Sequence, residues 1–65
     1  MTFDENNDEH LAYRLAILAI NPQIEIVDMC DDGDSIDYVS CRLDDMTFDL
    51  HIDQAILDKY FDTLT

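Results

Sequence analysis

The sequence predicts an α+β domain of element order α-β-β-β-α, a three-stranded antiparallel meander with both helices packed on one face. Three observations lead there. Apolar residues recur at helical spacing near each end of the chain, the middle alternates with period two, and Asp32-Gly33 and Asp44-Asp45 punctuate that middle as tight turns. Sixty-five residues make a single domain, 1–65, with no room for a second.

Residues 1–6 are polar and expected to fray. Asn6-Asn7-Asp8-Glu9 is a helix start, with an Asn cap, Glu three residues on, and acids at the positive end of the helix dipole. Leu11, Leu15 and Leu18 form one stripe and Tyr13, Ile17 and Ile20 a second, so this helix should be heavily covered. Pro22 ends it, because the residue before a proline is pushed out of the α region. Ile24-Glu25-Ile26 opens the first strand, residues 36–43 form the second, and residues 46–52 the third. Asp53 then caps a helix that carries Ile56, Leu57, Tyr60, Phe61 and Leu64.

With Asp32-Gly33 as a two-residue loop, Ile26 faces Val39 and Ile24 faces Cys41. With Asp44-Asp45 as the next loop, Leu43 faces Met46, Cys41 faces Phe48 and Val39 faces Leu50. Both hairpins then bury one face, made of Ile24, Ile26, Val39, Cys41, Leu43, Met46, Phe48 and Leu50. The same register sets Asp28 opposite Asp37 on the core side, where facing carboxylates repel.

Sixteen acids against three bases give a net charge of −13, yet 48% of the residues are apolar, which separates the chain from disordered acidic tails. Direct contact with nucleic acid or an anionic membrane needs Lys and Arg clusters, which are lacking. The longest uncharged run, residues 15–24, is too short to span a bilayer, and no basic segment precedes an apolar one as a secretory signal would require. A cytoplasmic protein is expected. Cys30 and Cys41, with no CxxC spacing, read as reduced thiols acting as small buried hydrophobes.

The topology makes the acidity directional. The first helix runs antiparallel to the first strand, so its start lies near the 31–34 turn, and the third strand returns to that same end. Asp4, Glu5, Asp8, Glu9, Asp28, Asp31, Asp32, Asp34, Asp37 and Asp53 should gather there, ten of the sixteen acids. Turn chemistry alone accounts for Asp in turns. Adaptation to high salt would instead spread acids over the whole surface.

No metal, cofactor or catalytic site is expected. An EF-hand spacing started at Asp28 puts Cys30 at its third position and Val39 where a bidentate Glu is required. His10, His51, Ser35 and Ser40 form no nucleophile–base arrangement, so the chain is not read as an enzyme. The outer sheet face is expected to carry Val27, Met29, Ile36 and Tyr38 as an apolar cluster rimmed by acids, an interface for a partner or a homodimer. A bulge near Val27 would turn some of them inward.

The element order is similar to that of the double-stranded-RNA-binding domain. That family carries a lysine cluster at the start of its second helix, where this chain reads Asp53-Gln54-Ala55-Ile56-Leu57-Asp58-Lys59, so RNA binding does not carry over. In size, charge and element order the chain also resembles small acidic phage-encoded inhibitors, including anti-CRISPR proteins and inhibitors of DNA repair enzymes. That resemblance implies a non-enzymatic nucleic-acid mimic, of anti-CRISPR or anti-restriction type, acting in the host cytoplasm on a basic nucleic-acid-binding protein or complex. The expected partner-binding acids are Asp8, Glu9, Asp28, Asp31, Asp32, Asp34, Asp37 and Asp53, with Val27, Met29, Ile36 and Tyr38 as apolar anchors. The competing expectations are a small acidic immunity protein or antitoxin that neutralises a basic toxin, and an acidic homodimerising module.

Overall fold

The computed structural model describes residues 3–33 and 35–64. Its elements are α1 (Asp8–Ile20), β1 (Glu25–Asp31), β2 (Ile36–Leu43), β3 (Met46–Leu50) and α2 (Gln54–Leu64), in the expected α-β-β-β-α order. The strands form one antiparallel sheet in the order β1-β2-β3. One sheet face meets Ala12, Tyr13 and Ile17 of α1 and Leu57 of α2, which close with Met29, Ile36, Val39 and Cys41 into the core.

The helix starts one residue later than Asn6. Asn7 is the cap, its Oδ1 accepting the N–H groups of Glu9 and His10 at 2.9 and 3.3 Å, while the Asn6 N–H goes to Asp4 Oδ1. Residues 3–6 are held rather than frayed. The Asp4 N–H donates to His10 Nδ1 at 2.9 Å, and the Phe3 ring lies 5.5 Å from the Arg14 guanidinium. Met1 and Thr2 lie outside the described residues. The covered face of α1 is His10, Ala12, Tyr13, Ala16 and Ile17, whereas Leu18 and Ile20 in the last turn are exposed. Asn21 leaves the helix in extended conformation (φ −161°), as a residue preceding proline should.

The β2–β3 hairpin has the expected register, Leu43↔Met46, Cys41↔Phe48 and Val39↔Leu50. Its turn places Asp44 at φ 56°, a left-handed conformation that Asp tolerates better than most residues. Being at the open end of the sheet, Met46 is exposed and not part of the core.

The β1–β2 hairpin differs from its expected register. Ile26 pairs with Cys41 rather than Val39, and Asp31 with Ile36. The loop therefore spans residues 32–35, closed by the Asp32 N–H to the Ser35 carbonyl at 3.1 Å, with Gly33 at φ +107°. A slip of two residues keeps every side chain on its face, which is why the expected inward set Ile26, Val39 and Cys41 still points inward.

Two bulges then alter the faces between those pairs. Register shifts fall between Ile26 and Asp28 and between Cys30 and Asp31, which leaves Val27 as the extra residue on β1 and Asp37 as the extra residue on β2. Asp28 now pairs with Ser40, not Asp37, and points outward. Met29 (0% exposed) pairs with Val39 and Ile36 (7%) turns inward, while Asp37 is expelled to solvent. Strict alternation would bury two carboxylates, each at a cost of several kcal/mol. The bulges replace them by Met and Ile, worth roughly 1.5–3 kcal/mol each when buried. The placement of Met29 and Ile36 on the outer face is thus corrected, and the apolar cluster there reduces to Val27 and Tyr38.

Candidate functional site

Two surfaces follow from this fold. The first is the end that holds the start of α1 and the 32–35 loop. Asp8 and Glu9 occupy the first turn of α1. One turn on, the Tyr13 hydroxyl donates to the Ile36 carbonyl at 3.1 Å, pinning the start of α1 beside the start of β2. Burial raises the Tyr13 phenol above its ordinary pKa, and the carboxylates of Glu9 and then Asp37 raise it further, which locates both acids around that ring.

The remaining expected acids are distributed as follows. Asp31 ends β1, exposed, opposite Ile36. Asp32 folds over its own loop, Oδ1 accepting the Ser35 N–H at 3.2 Å. Asp37 is exposed at its bulge. Asp53 precedes α2, its carbonyl accepting the N–H groups of Ile56 and Leu57 at 3.0 and 3.1 Å. Asp34 lies outside the described residues. Asp28 belongs instead to the outer sheet face.

That outer face, which neither helix covers, is more polar than expected. The Cys30 thiol lies 3.9 Å from both Asp28 Oδ2 and Ser40 Oγ, and the Ser40 hydroxyl donates to Asp49 Oδ1 at 3.3 Å. Tyr38 sits across from Cys30, with the His51 ring 5.7 Å from its own. The neighbouring Cys30 sulfur, then the Asp49 carboxylate, hold the Tyr38 phenol above its ordinary pKa. Glu25 and Arg42 pair across the strands, Nε to Oε2 at 3.0 Å. Cys41 is buried as expected, but Cys30 is half-buried on this outer face.

Sequence reasoning missed the chain from Asp28 through Cys30 and Ser40 to Asp49. The signal for it was present. Asp28 and Asp37 on the core parity, beside Met29 and Ile36 on the solvent parity, is a misfit that one bulge in each strand relieves. His10 was read without a role and is buried to 1% exposure, accepting the Asp4 N–H, so its service is to fold the segment before α1.

Among the described residues, no group of three or more His, Cys, Asp or Glu side chains is placed to hold a metal ion. No helix among them is long and apolar enough to cross a membrane. Chemically, the first surface offers fixed carboxylates on rigid element ends, and the second a polar sheet face with one thiol and one phenol. No family model, no curated protein and no solved structure matches the chain.

Proposed function

We propose that the protein is a non-enzymatic inhibitor that imitates the charge of nucleic acid and blocks the basic groove of a DNA- or RNA-handling protein or complex. The observation that carries this reading is the net charge of −13 combined with the anchoring of acids from α1, the 32–35 loop and the start of β2 at one end of a small sheet. Duplex DNA carries one charge per about 1.7 Å of its axis, and a groove adapted to that density also attracts clustered carboxylates. Asp8, Glu9, Asp31, Asp32, Asp34, Asp37 and Asp53 supply steering and register. Asp28 adds charge from the adjoining sheet face. Val27 and Tyr38, the outward-facing members of the expected apolar set, supply anchoring contacts that phosphates lack.

Phage-encoded counter-defence in the host cytoplasm is the setting this reading favours. The homodimer reading loses support, because two of the four residues that motivated it, Met29 and Ile36, are in the core. The test is competition. The protein is added to a panel of nucleases and CRISPR effectors at moderate salt while DNA binding is measured. Displacement of DNA from at least one member, weakening as salt rises, is expected; no displacement across the panel contradicts the proposal.

A further inference from the structure

A groove of about 280 Å3 runs between α1 and the edge strand β1, lined by Phe3, Arg14, Ile17, Leu18, Ile24 and Ile26. Leu18 stands partly exposed over it. Among the described residues β1 pairs with β2 alone, so the far edge of β1 directs backbone N–H and C=O groups toward this groove. The strand also sorts its side chains. Ile24 and Ile26 line the groove, whereas Glu25 and Asp28 stand on the opposite sheet face, one beside Arg42 and the other beside Ser40.

We propose that this edge and groove receive an extended segment of a protein partner with alternating aliphatic and basic side chains, which adds to β1 as a fourth strand. Strand addition draws affinity from backbone hydrogen bonds and specificity from alternate side chains. Aliphatic side chains on one face of the incoming strand cover Leu18, Ile24 and Ile26. Lysine or arginine on its other face lies across from Glu25 and Asp28, where opposite charges in neighbouring strands attract. A second copy of this chain does not fit, because pairing two β1 edges brings Glu25 and Asp28 of both copies together between bodies of charge −13. A helix would fill the groove but leave the strand edge without hydrogen-bond partners. The site is separate from the acidic end and needs nothing from the nucleic-acid-mimic reading.

The probe is a short capped peptide of alternating lysine and valine, titrated into the isotope-labelled full chain and followed by amide chemical shifts. Shifts centred on Ile24, Glu25, Ile26 and Asp28 are expected. Binding should be at least about tenfold weaker for a lysine–serine peptide, for a lysine–valine peptide N-methylated along one edge, and for the Leu18→Glu variant. Equal binding of the lysine–serine peptide, or shifts centred on residues 31–33, would reduce the contact to charge and overturn the proposal. Should Leu18→Glu lower the thermal midpoint, the N-methylated peptide against the native chain decides: undiminished binding excludes strand addition.

Discussion

Met29→Ala separates the bulged sheet from a regularly alternating one. In a regular β1, Met29 and Val27 both face solvent and truncating either is nearly neutral. In the structure Met29 is fully buried against Val39 and α1, whereas Val27 is 56% exposed. Removing about three buried methylene-sized groups at about 0.8 kcal/mol each costs about 2.4 kcal/mol, and the residual cavity raises this to about 3. Domains of this size hold roughly 3–10 kcal/mol in total, so the loss is a large fraction of the whole. For a chain this short, about 3 kcal/mol lowers Tm by roughly 12–24 °C. Urea unfolding followed by circular dichroism measures it, with Val27→Ala and Met29→Leu as controls. Both controls should stay within about 1.5 kcal/mol of the native chain. A Met29→Ala loss no greater than that of Val27→Ala would refute the bulge argument.

Tyr13→Phe removes the hydroxyl that reaches the Ile36 carbonyl and should cost about 1–2 kcal/mol in the same assay. Stability should also fall on the alkaline side. Burial, with Glu9 and Asp37, raises the Tyr13 phenol, and burial, with Asp49, raises the Cys41 thiol. A folded-state pKa above the unfolded one gives stability that is complete below the unfolded values, about 8.5 for Cys and about 10 for Tyr, and is lost as pH climbs through the folded values. Tyr13→Phe should flatten the part of that decline above about pH 10, and an unchanged slope would remove Tyr13 as its source. Sodium chloride should raise Tm between low and moderate ionic strength by screening the charge of −13, as the Debye length shrinks from about 30 Å at 0.01 M to about 10 Å at 0.1 M. A Tm that falls over that range contradicts self-repulsion as a destabilising force.

Period and turn chemistry made the element order legible from sequence, and the two-residue loop at Asp44-Asp45 fixed the second hairpin completely. The first hairpin was not legible to the same degree. Registers two residues apart bury the same face, so the agreement of Ile26 and Cys41 with the core could not choose between them. The longer loop around Gly33 and the two bulges decided the matter. Those bulges were foreshadowed by Asp28 and Asp37 on the wrong parity, but a misfit in sequence does not say which residue is extruded. In the first helix, the leucine stripe was as apolar as the tyrosine–isoleucine stripe. The structure buries the latter because Tyr13 can satisfy its hydroxyl at Ile36. The acidic end was legible from topology, since it depends only on which element ends lie together. The outer face was not, because its membership changed with every bulge.

The central claim is that recognition is localised at the acidic end. Once a target is found in the competition panel, its affinity for the native chain is compared with that for Asp31, Asp32 and Asp34 changed together to Asn, and for Asp44 and Asp45 changed to Asn at the far end of the sheet. The account predicts that the first variant loses most of the affinity, with slower association, while the second stays close to native and both remain folded. Equal losses per charge removed in the two variants would contradict it, leaving net charge as the only determinant.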